Sequence, residues 1–202
     1  MMEAAAVLHL IRSRRSIRRY EERPVPAEIL WELLEAARWA PSAHNRQPWR
    51  FAVLVDAQRK RTLAEAMGER LRRDLLADGL PAGEVERQVT RSVARISQAP
   101  AAIVAFLSMA DMDQYPDERR QFLERTMAVQ SVALAVQNML LLAHAHGLGA
   151  CWMCAPLFCP EVVRGVLNVP ADWEAQALVT LGYPAETRVK ERSPLTDMVR
   201  WY

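Results

Sequence analysis

The sequence predicts an α+β fold, a mixed central sheet sandwiched between helices, in one domain over residues 1–202. Segments with helical spacing and short apolar runs follow one another without strict strand–helix alternation, unlike a doubly wound parallel sheet. Turn signals are too few for an all-β chain. Within residues 119–146, the stretch from Met127 onward is apolar nearly all round, as in a central core helix or a subunit interface.

Each element has its own justification. Glu3 to Arg12 carries apolar residues at helical spacing, Val7, Leu8, Leu10 and Ile11. RRSIRRYEERPV reads as extended or irregular, because Pro24 and Pro26 discourage helix before them. Pro26 can open the next helix, whose apolar face is Ile29, Leu30, Leu33, Leu34, Ala37 and Trp39. Pro41 stops it. The loop PSAHNRQPW follows, then a short strand, Phe51 to Val55. Gln58 to Ala77 and Gly83 to Ser97 are charged helices with solvated faces. Ala101 to Met109 is apolar throughout and reads as a buried strand. Gly147 and Gly149 end the long helix of Arg119 to His146. Ala150 to Met153 reads as a strand, Pro160 to Leu167 as a short helix and Ala175 to Leu181 as the last strand. The tail ETRVKERSPLTDMVRWY is basic, then aromatic.

Composition narrows the function. The 202 residues are 51% hydrophobic and 25% charged, with a formal net charge of +2. That balance argues against nucleic acid or a membrane surface as a partner. At the start, the positive charges follow the apolar run instead of preceding it, unlike a signal peptide. No apolar stretch reads as long enough to span a bilayer, since Val129 to Leu142 is interrupted by Gln130, Gln137 and Asn138. A cytoplasmic protein is expected. Cys151, Cys154 and Cys159 form one odd-numbered cluster, which is no disulfide framework and fits a reducing compartment.

Four constellations can carry chemistry. In Arg14, Arg15, Ser16, Arg18 and Arg19, an extended backbone would put Arg14, Ser16 and Arg18 on one face, with Ile17 opposite. Two guanidinium groups and a hydroxyl on one face suit a phosphate and a polar ring edge; a solvated basic turn is the plainer alternative. The loop from Pro41 to Trp49 holds Asn45 and Gln47, which offer both donors and acceptors, between prolines. Gly147 to Pro156 combines a helix stop with a turn able to approach a ligand. Its Gly-Leu-Gly lacks the third glycine and the preceding strand of a dinucleotide fingerprint. Arg188, Lys190 and Arg192 would share a face if extended, and could share a phosphate with the first cluster.

These pieces in this order, RRSIRRY, PSAHNRQPW, HGLGACW, ALVTLGYPAE and VKERSPL, resemble the FMN-dependent nitroreductase family over nearly the whole chain. The PLFCPEVV and LGYPAE segments are also similar to a branch active in deazaflavin biosynthesis. The resemblance implies a nitroreductase-like sandwich in an intertwined homodimer with FMN at the subunit interface. It implies that Arg14, Ser16 and Arg18, with Arg15 as a neighbour, hold the FMN phosphate, ribityl chain and pyrimidine edge. Ser42, Ala43 and Asn45, supported by Gln47 and Trp49, would come from the other subunit. Met153, Cys154 and Ala155 would lie beside the isoalloxazine ring, and Lys190 and Arg192 would complete the phosphate clamp. NADH or NADPH would be the reductant, in a ping-pong cycle that hands electrons to a nitroaromatic, a quinone or enone, or a deazaflavin-type acceptor. No protein acid, base or nucleophile is required, since the flavin carries the chemistry. A cation at the ring's N1–C2 edge favours the reduced form; Arg18 is the candidate for it and Arg95 a second.

Other readings compete. His144, His146, Cys151 and Cys154 are four potential zinc ligands, but the histidines sit two apart on a helix and diverge, so no metal is expected. A Cys151–Cys154 thiol mechanism would want a helix N-terminus, where this pair reads as strand. The non-enzyme alternative is a flavin-binding, flavin-storage or regulatory dimer without fast NAD(P)H turnover.

Overall fold

A computed structural model describes residues 3–202. Among the described residues, six α-helices are α1 (Ala4–Ser13), α2 (Ala27–Arg38), α3 (Ala57–Ala77), α4 (Ala82–Ser97), α5 (Glu118–Ala145) and α6 (Pro160–Leu167). Four strands are β1 (Trp49–Leu54), β2 (Ala101–Leu107), β3 (Gly149–Met153) and β4 (Glu174–Gly182). They form one sheet in the order β1-β2-β4-β3.

The sheet explains its own sequence. β2 and β4 are central, and helices cover both faces, so β2 is buried at every residue and carries no polar alternation. Ile103, Ala105 and Leu107 point into a core with α2 and α5 residues, among them Leu33, Val132, Val136 and Met139. Ala102, Val104 and Phe106 point the other way, onto Leu63, Met67, Ile96 and Val163 of α3, α4 and α6. The α+β sandwich is as expected, but where a mixed central sheet was expected all the named strand pairings are antiparallel. Its parallel part is one isolated bridge, Ser16↔Ala150, at the outer edge of β3.

The long helix α5 begins at Asp117, whose side chain accepts the Arg120 N–H. It ends in a left-handed Gly147, with the Leu148 N–H donating to Ala143 O at 2.9 Å. Ala128, Val132, Ala135, Val136, Met139, Leu140 and Ala143 are buried. Another stripe remains open in the protomer: Leu123 and Leu134 are exposed, Met127 and Leu141 half-buried, at spacings of one and two turns. By length and composition this helix is apolar enough to cross a membrane, contrary to the sequence expectation, yet much of its apolar stretch is buried in this core.

Candidate functional site

The site grows from the chain leaving α1. From Arg14 the backbone is extended, and the Ile17 N–H donates to Ala150 O at 3.0 Å. Ile17 is buried, so its neighbours Ser16 and Arg18 turn outward, as the spacing predicts. Gly149 makes this approach possible: a Cβ there would stand 2.7 Å from Ile17 Cβ. Tyr20 locks the segment. Its hydroxyl lies 2.6 Å from Ile17 O, 3.0 Å from Thr180 O and 2.9 Å from Thr180 Oγ1. Burial raises the phenol above its ordinary pKa, so it stays a donor.

The chain leaving β4 runs back along this segment. Tyr20 bridges Pro184, the Glu21 N–H donates to Tyr183 O at 2.9 Å, and the Ala185 N–H donates to Arg19 O at 3.0 Å. Glu186 then accepts the Arg18 N–H at 2.8 Å and an Arg188 guanidinium at 2.9 Å. The two arms enclose a cleft of about 460 Å³ lined by Arg14, Arg15, Ser16, Arg18, residues 186–190 and Arg192.

Six cationic side chains and one carboxylate line this cleft. Burial, then Arg192 and Arg15, push the Arg14 guanidinium below its ordinary pKa. The Arg15 Nη1 group donates to the carbonyls of Arg12 and Arg14, while its Nε is buried without a partner among the described residues. Arg95, on α4, is pushed down by burial, then by Arg18 and Arg91. Cations that repel one another with one carboxylate to balance them are the electrostatic mould of a multiply charged anion. A phosphate with a hydroxylated chain and a polar ring edge fits this donor set, so the residues present fit FMN.

The other predicted residues lie elsewhere in the protomer. Ser42, Ala43, Asn45 and Gln47 do not line the cleft. Their loop is tightly built: the Gln47 N–H donates to Ser42 Oγ at 3.1 Å and the Ala43 N–H to Ser131 Oγ at 3.3 Å. His44, Asn45 and Gln47 have φ of 49°, 54° and 51°, left-handed conformations that cost about 1–3 kcal/mol each without glycine. Arg46 pairs with Asp113, and Arg50 with Asp111 at 3.0 Å, which stake the loop to the β2–α5 connection. Three strained residues present exposed His44, Asn45 and Gln47 side chains outward.

Met153, Cys154 and Ala155 close β3 and open a short turn, and they too lie outside the cleft. Cys154 is exposed and accepts the Trp152 Nε1–H at 3.2 Å. Ala155 lines a separate cavity of about 250 Å³ with Met67, Leu71, Ser92 and Phe158. Cys151 is fully buried in β3, and burial holds its thiol above the ordinary pKa. His144 Nε2 lies 2.8 Å from Ser13 Oγ, and His146 Nε2 lies 2.9 Å from a Glu32 carboxylate oxygen. Those partners sit on α1 and α2, so the four possible zinc ligands do not converge. The sequence reading missed Tyr20 and Glu186; in sequence, Glu186 is one acid in a basic tail, and its contact to Arg18 spans 168 residues.

A helix-covered antiparallel sheet with a two-armed cationic clamp at its edge defines a class: small α+β proteins with an anion-suited cleft beside the sheet. The chain belongs to the nitroreductase family, whose profile, described as Nitroreductase family, matches residues 11–183. It is 35% identical to a protein named NADH dehydrogenase from Thermus thermophilus, over 93% of this chain and 92% of that one. It is 28% identical to the 5,6-dimethylbenzimidazole synthase of Rhodospirillum rubrum, over 95% and 85% of the two chains. A solved structure from Desulfovibrio desulfuricans, assigned as a nitroreductase and in complex with FMN, superposes with a TM-score of 0.75 at 28% identity. That match covers 100% of this chain and 98% of the other.

Proposed function

We propose that the protein is an FMN-dependent NAD(P)H oxidoreductase, acting as a homodimer of one nitroreductase-like domain per chain. The observation that carries this reading is the cleft, where six cations face one carboxylate and a buried Arg15 Nε lacks a partner among the described residues. The FMN complex of the Desulfovibrio relative and the NADH dehydrogenase name of the Thermus relative support it.

In this reading Arg14, Arg15, Lys190 and Arg192 hold the phosphate, and Ser16 and Arg18 the ribityl chain and pyrimidine edge. Arg18, coupled electrostatically to Arg95, would set positive charge at the N1–C2 edge and favour the reduced cofactor. Met153, Cys154 and Ala155 would border the ring where it extends beyond the cleft. Bound FMN supplies hydride acceptance and donation. NADH or NADPH would be the reductant and would leave before a nitroaromatic, quinone or enone, or deazaflavin-type acceptor took the same slot. Steady-state lines that intersect instead of running parallel would refute this order.

The dimer reading rests on unsatisfied surface. The open stripe of α5 and the exposed Leu8 and Ile11 of α1 supply an apolar face. β1 is an edge strand, and the groove beside it, about 600 Å³, is lined by Leu30, Trp31, Leu34, Trp49, Phe51 and Val53. Exposed Leu195, Met198, Trp201 and Tyr202 of a second copy's tail match that groove in chemistry. Within the dimer, the strained loop of Ser42, Ala43, Asn45 and Gln47 serves the partner's cofactor.

The test is the visible spectrum of the purified protein, followed by NADH or NADPH without oxygen. Flavin bands that bleach within seconds are expected. Flavin bands that persist would favour a storage or regulatory dimer. Colourless protein that also takes up no added FMN would remove the reading.

A further inference from the structure

We propose that Glu186 is a positioning residue that joins the two arms of the clamp and withholds one arginine from the bound anion. The proposal rests on the FMN reading for the ligand's identity and on geometry for everything else. One carboxylate oxygen accepts the Arg18 main-chain N–H at 2.8 Å, and the other accepts Arg188 Nη2 at 2.9 Å. The first contact holds the segment of residues 14–19, and the second holds that of residues 186–192. The Glu186 side chain is 14% exposed, against 48% for Arg188, so the acid is the inner hub and the arginine the outer spoke.

The main-chain contacts around it explain why a side chain is needed at this point. The Ile17 N–H is taken by Ala150 O, and Arg19 O is taken by the Ala185 N–H. The Arg18 N–H between them turns away from β3, and Glu186 is its partner. Without that acceptor, the outward-facing arm is fastened to the sheet on one side only. The carboxyl group is held down to about 2, first by the Arg188 hydrogen bond and then by main-chain N–H groups of Arg18 and Arg19. It is therefore charged at neutral pH.

Glu186 thus has two effects of opposite sign on an anion in the cleft. As an anchor it fixes Arg18 and Ser16 where they can bond the ligand. As a charge it is the sole carboxylate among six lining cations, and it occupies Arg188. Two substitutions separate these effects. Glu186→Gln keeps an oxygen for the Arg18 N–H and releases Arg188, which adds one unit of net positive charge to the lining. Glu186→Ala removes the anchor as well.

The experiment is FMN titration into flavin-free wild type, Glu186→Gln and Glu186→Ala at two salt concentrations, with the melting temperature of inorganic phosphate complexes measured in parallel. Glu186→Gln is expected to bind FMN roughly threefold to tenfold more tightly, with a steeper salt dependence. Glu186→Ala is expected to bind about tenfold more weakly. A residue that merely supports the fold would weaken binding in both variants, and two changes in the same direction overturn the proposal. If wild type fails to bind FMN while phosphate stabilises Gln most and Ala least, the flavin reading falls and the role of Glu186 stands. If wild type binds FMN and all three proteins respond alike to both ligands, the role of Glu186 falls and the flavin reading stands.

Discussion

Replacing Gly149 with alanine tests the link between the sheet and the site. The added Cβ would lie 2.7 Å from Ile17 Cβ and Cγ2 and 3.0 Å from Cγ1. Ordinary contact starts at 3.4 Å, so about 0.7 Å of separation is missing. Ile17 cannot yield by rotating, because the nearest atom is its own Cβ and the residue is buried. The whole extended segment must lift from β3. That stretches the Ile17 N–H···Ala150 O bond from 3.0 Å past useful length. Overpacking costs about 1–3 kcal/mol and the lost hydrogen bond about 1 kcal/mol, together about 2–4 kcal/mol. At this chain length each kcal/mol moves the melting temperature by about 2–4 °C, so a fall of roughly 4–16 °C is expected. Arg14, Ser16 and Arg18 ride on the displaced segment, so FMN affinity should drop at least about tenfold. Gly165→Ala is the control: beyond its chain neighbours and its own helix backbone, nothing lies within 4 Å of its Cβ position, and the helix gains from alanine. Thermal melting of the flavin-free protein and fluorescence titration with FMN read both effects. A Gly149→Ala protein that melts with wild type, or melts early with unchanged FMN affinity, would refute the coupling.

Other perturbations give equally direct outcomes. Leu134→Glu puts a charge on the open stripe of α5; light scattering should find a monomer, and flavin should be lost with the dimer. His144 is held below its ordinary pKa by burial, then by Arg14, His9 and Arg15. A histidine depressed in the folded state gives stability that is present above its unfolded pKa and lost as pH falls through the folded one. The wild-type melting temperature should therefore fall on going from about pH 7.5 to about pH 5.5. In His144→Gln the fall should be shallower, and parallel curves would exclude His144 as the source. Cys151→Ser should leave flavin reduction by NAD(P)H within about twofold, since a thiol raised by burial is a poor nucleophile; near-total loss would revive a thiol mechanism.

Much of the fold was legible because burial leaves local marks. α6 has the predicted bounds, Pro160 to Leu167, since proline opens it and a left-handed Asn168 ends it. The apolar run of β2 announced a strand covered on both faces, although it ends at Leu107, two residues short of the expectation. β1 begins earlier than Phe51, at Trp49, because Trp49 pairs with Leu107 and Pro48 O accepts the Ser108 N–H. That gain comes from a neighbour far along the chain, which no local pattern encodes. The antiparallel sheet was illegible for the same reason, as strand direction depends on connections and not on composition. In the site, the alternation of Arg14, Ser16 and Arg18 about a buried Ile17 could be read directly. Glu186 could not, since its partner is Arg18 and nothing in either segment names the other.

The clamp also orders the protein's history. Its two arms are residues 14–19 and 186–192, so all four strands of the sheet are synthesised between them. Contacts this far apart in sequence form late, after the intervening loop entropy has been offset by the core. During translation the first arm is exposed as a bare run of arginines with nothing to share its ligand. The cleft has no existence until residue 192 is made and β4 is seated beside β2 and β3. If FMN binds here as proposed, its capture closes the folding sequence, and a chain cut after β4 is expected to fold without retaining flavin.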